Sequence, residues 1–279
     1  MKQIKLVAFD LDGTLLTTDK RLTPENEAAL RAAAEAGIEL VPATGRFYRA
    51  VPDCVRSLPY IRYMININGA LIYDVKNGCA LHREDMPWQP AAEIMRRLDE
   101  LPVLYDCYQS DRGWISGSWQ ERCEPFAVNP AVLRMFRNER TAVPDLKEHL
   151  ARTGLPVQKM MAFFLDNDLR ERMRAELKAA YPELVVTSSV ANNLEINARL
   201  ATKGLALERL AAYLGLEMSQ TMAFGDDIND VSMLRTAGVG VAMANASPEA
   251  VAAADERTLS CDENGVAAAL TRLLAERDV

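Results

Sequence analysis

The sequence predicts an α/β protein with a parallel-sheet core split by an inserted domain. Three observations predict this. Short apolar strands alternate with helices at the start of the chain, and the same alternation returns at its end. The stretch between follows a different pattern and carries all three tryptophans, Trp88, Trp114 and Trp119.

Residues 4–9 read as the first strand, an apolar run that stops at Asp10. An Ala/Glu/Leu-rich helix follows from Pro24 to Ala36, with Thr23 as N-cap and Pro24 at the first helical position, and Gly37 ends it. Residues 38–42 and 63–67 are the second and third strands, each followed by a loop with Gly and polar residues. Strands alternating with helices predict a parallel sheet that binds ligands beyond its C-terminal strand ends. From Arg83 to Asn197 the pattern is helix, strand, strand, helix, strand, helix and two strands, with strands at 103–108, 113–117, 159–165, 184–188 and 193–197. A helix from Thr202 to Leu214, strands at 220–224 and 238–243, and a closing helix at 265–276 complete the chain. The expected division is a core in two parts, 1–82 and 198–279, around an inserted domain, 83–197. No repeat or low-complexity segment interrupts this plan.

The 279 residues suffice for one large or two ordinary domains, and 49% hydrophobic with 25% charged residues is an ordinary globular composition. The net charge of -7 argues weakly against nucleic acid or an anionic membrane as partner. It leaves an anionic small substrate open. No apolar run approaches the roughly 18 residues that span a bilayer, and the first apolar run is too short for a signal peptide. A cytoplasmic protein is expected. The five cysteines are scattered, so neither a disulfide framework nor a zinc ribbon is suggested. His82 and His149 are the only histidines, so a metal must rely on oxygen ligands.

Four motifs sit where strands end. Asp10-Leu11-Asp12-Gly13-Thr14-Leu15 follows the first strand, and carboxylates at i and i+2 leave an extended chain on one face. A bare Asp-x-Asp is more often a solvated turn; directly after a Val-Ala-Phe strand and before Gly-Thr it points to a site. Ala43-Thr44-Gly45-Arg46 offers a hydroxyl and backbone N–H groups to a phosphate, although such turns are common. Lys203 opens a helix, where its charge opposes the macrodipole and calls for an anion or for solvent. Gly225-Asp226-Asp227-Ile228-Asn229-Asp230 gathers negative charge that a cation or solvent must offset, and hard carboxylate oxygens suit magnesium. Asp226 and Asp230 are the candidates there; Asp227 reads as exposed.

In this order the motifs resemble the haloacid dehalogenase-like superfamily, specifically its Cof-type phosphatases with a type IIB cap. Asn66-Ile67-Asn68-Gly69-Ala70 resembles the Asn-Gly loop after their third strand, and Val239 to Ala246 resembles the strand and turn after their fourth motif. The resemblance spans the chain and implies a Rossmann-like core with an α/β cap inserted after the third strand. Asp227 stands where the family often has Gly.

The resemblance implies a Mg2+-dependent phosphatase acting on small phosphate monoesters such as sugar phosphates. Asp10 is then the nucleophile, and Asp12 gives a proton to the leaving oxygen and takes one from water. That role requires Asp12 to be protonated when substrate binds, and crowded carboxylates together with a dianionic phosphate should raise its pKa. The metal falls to Asp10, the Asp12 carbonyl and Asp226, directly or through water, with Asp230 holding the metal's waters or orienting Lys203. Thr44, the Gly45 N–H, Lys203 and Asn229 are implied for the phosphate. Asn68 and Arg46 are further substrate candidates, Arg46 alternatively pairing with the cap. Cap closure would exclude water and the cap would read the leaving group. There Trp114, Trp119 and Tyr108 are possible substrate contacts, with packing the favoured reading. A sugar-phosphate mutase and a non-catalytic metabolite-binding protein are the alternatives. The partner expected is a small phosphorylated metabolite, with the chain a monomer or small homo-oligomer.

Overall fold

The computed structural model describes residues 3–277. Two compact units emerge: one runs to Arg83 and resumes at Thr202, and the other is Glu84–Ala201. The strands, in chain order, are β1 (Leu6–Phe9), β2 (Glu39–Pro42), β3 (Tyr63–Asn66), β4 (Leu71–Asp74), β5 (Cys79–Arg83), β6 (Val103–Tyr108) and β7 (Gly113–Ser116). Then follow β8 (Arg140–Val143), β9 (Lys159–Phe164), β10 (Leu184–Thr187), β11 (Asn193–Ala198), β12 (Thr221–Gly225), β13 (Val239–Ala242) and β14 (Glu256–Arg257).

In the discontinuous unit a five-stranded sheet runs β14-β13-β12-β1-β2, every pairing parallel. All four residues of β1 are buried. This is the signature of a strand covered on both faces, which is why it reads as an unbroken apolar run. Side chains alternate between two cores. Val7, Phe9, Leu40, Met222, Phe224 and Val241 pack with Leu30 and Ala33 of the helix Pro24–Glu35 and with Val266 and Leu270 of Gly265–Arg277. Leu6, Ala8, Val41 and Ala223 pack with Ala206, Leu207 and Leu210 of the helix Lys203–Tyr213. The sheet is therefore the middle of three layers, as the α/β reading requires. Thr23 caps its helix as expected, its hydroxyl accepting from Asn26 N at 3.2 Å.

The third strand departs from the expected plan. β3 meets the parallel sheet through one bridge, Ala43 to Ile65, and its ladder is antiparallel, to β4, which pairs in turn with β5. β5 is half-exposed and lacks alternation, so neither period marks it in the sequence.

The continuous unit is built on a six-stranded sheet, β10-β11-β9-β6-β7-β8, antiparallel except for β7 with β8. Five of its strands were legible. β8 was not, because Arg-Thr-Ala-Val carries no apolar run and its middle is exposed.

Candidate active site

The strand ends bring the first and fourth motifs together. β1 and β12 pair in register, Phe9 opposite Phe224, so Asp10 and Asp226 emerge near each other at the same edge. The Asp10 N–H donates to Phe224 O at 3.0 Å, carrying the ladder into the loop. Lys203 opens its helix behind Thr202, whose hydroxyl accepts from Leu205 N at 3.2 Å. Its side chain is fully buried, and Nζ donates to Asp10 Oδ1 and to Asp230 Oδ1, both at 2.6 Å. The anion that a lysine at a helix N-terminus demands is thus supplied twice. Burial alone would lower the ammonium's pKa, but the two carboxylates outweigh it and raise it.

Asp230 uses both oxygens, since Oδ2 accepts from Asp226 N at 2.9 Å and Asp227 N at 3.1 Å. Asp226 accepts the Thr14 hydroxyl on Oδ1 at 2.7 Å. Asp10, Asp226 and Asp230 each offer an oxygen within 4.8 Å of the others'. Burial pushes the Asp10 carboxyl well up; Lys203 opposes this, while Asp230, Asp226 and Asp12 add to it. Asp226 is raised to about 7, by burial and then by Asp230, against the Thr14 hydrogen bond and Lys203. Three carboxylates face a single ammonium, so full ionisation leaves negative charge that a buried site does not tolerate unaided. An all-oxygen set of this kind could hold a hard divalent cation.

Asp12 corrects an expectation. Its carboxylate is gripped by Arg46, Nε at 2.7 Å to Oδ2 and Nη2 at 2.9 Å to Oδ1, and Lys20 Nζ stands 2.9 Å from Oδ1. Burial would raise its pKa, but the bidentate guanidinium and then Lys20 hold it well below the usual carboxylate range. Without substrate Asp12 is ionised, and the neighbouring carboxylates alone do not raise its pKa. Arg46, expected at the substrate or the cap, holds Asp12 and donates from Nη1 to Ala50 O at 3.3 Å.

The buried Thr44 hydroxyl accepts from Arg46 N at 3.2 Å, closing a tight turn with half-exposed Gly45 at its centre. Asn68 and Asn229 meet, Asn229 Nδ2 donating to Asn68 Oδ1 at 3.3 Å. Asn68 and the preceding Ile67 are left-handed, at φ 57° and 54°. Asp227 is half-buried, against the exposed position expected, because its carboxylate accepts from Ile228 N at 2.7 Å to cap a short helical turn. Thr14, Lys20 and Asn245 were given no role in the sequence reading. Asn245 Nδ2 donates to Gly13 O at 2.8 Å. The hydroxyl in Asp-Gly-Thr was the available signal for Thr14; nothing local marks Lys20.

Of the aromatic candidates in the continuous unit, Trp114 stacks on His149 with centroids 4.2 Å apart, and Trp119 lies edge-on to Tyr105 and Phe126. Tyr108 is buried beside Arg140 and Lys159.

Residues 7–270 match the family model of haloacid dehalogenase-like hydrolases. Phosphatase YwpJ of Bacillus subtilis is 32% identical, across 97% of this chain and 100% of that one. The same organism's 5-amino-6-(5-phospho-D-ribitylamino)uracil phosphatase YcsE is 30% identical, across 96% and 94%. Among solved structures, a haloacid dehalogenase-like hydrolase from B. subtilis superimposes with a TM-score of 0.84 at 31% identity, covering 96% of this chain and 99% of that chain.

Proposed function

We propose, from the premise that this chain belongs to the haloacid dehalogenase-like hydrolases and is a phosphatase, that it hydrolyses small phosphate monoesters through an aspartyl-phosphate on Asp10, with Mg2+ as its metal. The observation that carries this reading is the cluster at the ends of β1 and β12, where buried Asp10 and Asp230 share Lys203 and half-buried Asp226 stands beside them. A carboxylate approaching a phosphate is repelled by several kcal/mol at about 4 Å in a partly buried site. Lys203 reduces that repulsion. Asp10, the Asp12 carbonyl and Asp226 would hold the magnesium, with Asp230 behind Lys203, and the ion would neutralise the oxygens of the transferring phosphoryl group.

Lys203 engages Asp10 Oδ1, which leaves Oδ2 to attack phosphorus. The bond from Oδ2 to phosphorus forms as the bond to the leaving oxygen breaks, and the leaving oxygen takes a proton. Water then attacks phosphorus, Asp10 is released as carboxylate, and inorganic phosphate departs. An ionised Asp12 suits the second half, accepting the proton from water. To donate in the first half it must first slip the grip of Arg46 and Lys20 and take up a proton from solvent. Thr44, Gly45, Asn229 and Asn68 are assigned to phosphate and substrate oxygens, on their place beside the strand ends. YcsE is a phosphatase of a phosphorylated ribityl compound, which supports a small phosphorylated metabolite as substrate. No helix among the described residues is long and apolar enough to cross a membrane.

Incubation with a chromogenic aryl phosphate and Mg2+ should release phosphate. Absence of turnover across a broad ester screen would leave a binding protein as the reading.

A further inference from the structure

We propose that Thr14 is a positioning residue for Asp226, setting the rotation at which that carboxylate meets its metal; the inference rests on the magnesium-dependent reading above. Thr14 is fully buried, and its hydroxyl gives its one proton to Asp226 Oδ1 across 212 residues of chain. That bond fixes the carboxylate plane and stabilises the ionised form. It matters because magnesium demands near-ideal octahedral geometry, so a rotated carboxylate is a poor ligand. Left alone, Asp226 would turn away from the negative charge of Asp10 and Asp230, whose oxygens lie within 4.8 Å of its own.

The surroundings hold Asp226 to the same setting. Its N–H donates to Asp230 Oδ2 at 2.9 Å, and its carbonyl accepts from Ser247 N at 2.8 Å. Gly13, at φ 98°, passes so close that a Cβ there would stand 2.4 Å from Asp226 Oδ2. The Gly13–Thr14 segment is itself clamped from outside. Asn245 donates to Gly13 O at 2.8 Å and accepts from Cys261 N at 2.9 Å, a pair of bonds that only one orientation of the amide can make. The chain 243–247 thus holds the Thr14 loop with a side chain and Asp226 with its main chain.

The test is calorimetric titration of Mg2+ into the substrate-free chain, with a melting curve for each variant. Thr14→Val keeps the shape and removes the hydroxyl, and should weaken Mg2+ binding about tenfold, the low end for partners that orient metal ligands. Thr14→Ser keeps the hydroxyl and should stay within about threefold of the native chain. At saturating Mg2+, Thr14→Val should regain most of its kcat on an aryl phosphate with KM unchanged, a split that a merely damaged fold would not give. Asn245→Ala, at an exposed position, should weaken Mg2+ binding about threefold. A folded Thr14→Val with native Mg2+ affinity overturns the proposal. If that variant does not fold, native affinity in Asn245→Ala overturns it. A native chain that binds no Mg2+ removes the metal reading and this proposal together, whereas native binding with unaffected variants removes this proposal alone.

Discussion

Each unit of the molecule buries a cluster of charge, and the two clusters are built on opposite principles. In the continuous unit Asp106 pairs with Arg140 at 2.7 Å and Glu195 with Lys159 at 3.0 Å, two acids against two bases. The Tyr108 ring meets both cations, 4.8 Å from the Arg140 guanidinium and 4.7 Å from Lys159 Nζ. In the discontinuous unit Lys203 bridges Asp10 and Asp230, and the Asp226 carboxylate stands beside them on the Thr14 hydroxyl. Balanced charge needs no ion from outside and reads as architecture, even though Asp106 Oδ1 and Arg140 Nη1 are buried without a hydrogen-bond partner. Unbalanced charge is a demand for a cation from outside, and that demand is what separates a site from a core.

The largest expected effect tests the unbalanced side. Asp10→Asn keeps the size of the side chain and removes the proposed nucleophile, so turnover should fall about 10^4-fold or more while the fold persists. Retained turnover removes Asp10 from the chemistry. Metal removal comes next. EDTA should abolish activity and Mg2+ restore it, and Mg2+ at about 100 times its Kd should stabilise the substrate-free chain by about 2.7 kcal/mol. Activity that survives thorough chelation would leave the excess negative charge without its assigned purpose.

The balanced side should break differently. Arg140 and Asp106 are wholly buried. Arg140→Met strands the Asp106 carboxylate and should cost about 3–5 kcal/mol in urea unfolding, whereas Arg140→Met with Asp106→Leu should recover most of that loss. If the double variant stays as unstable as the single one, the pair is not simply a matched charge.

The same contrast explains what the sequence discloses. Parallel strands covered on both faces announce themselves as apolar runs, and Asp10, Lys203 and Asp226 stand at strand ends or helix starts, so backbone logic alone places them. Pairings made by side-chain direction leave no such trace. Arg46 was legible as a strand-end residue, yet its grip on Asp12 depends on how its guanidinium turns back, and that grip keeps Asp12 ionised in the substrate-free chain. Thr14 and Asp226 meet only because β1 and β12 are neighbours. In β8, Arg140 interrupts any apolar pattern, so the strand looks solvated although its first side chain is buried. Buried ion pairs hide strands because they place charge where a pattern of apolar residues is sought.

The last effect is the dependence on pH. A free Asp226 carboxyl titrates near 3.8, while in the metal-free fold burial and Asp230 raise it to about 7. Between these values the folded chain keeps a proton that the unfolded chain has lost, so this group lowers stability progressively as pH rises from about 4 to about 7. Below the window it adds no penalty; above it the penalty is complete. The clean measurement subtracts Asp226→Asn from the native chain, removing the opposite contribution of carboxylates such as Asp12, whose pKa is lowered. In EDTA the native-minus-variant unfolding free energy should fall across the window, and saturating Mg2+ should reverse the fall by favouring the ionised form. Asp106 is also raised, by burial against the pull of Arg140, but its partner is already in place. Mg2+ should therefore leave the pH dependence of the Asp106→Asn difference unchanged. If the ion moved both differences equally, it would be acting on the chain at large, and the distinction between a charge-balanced and an unbalanced cluster would fail.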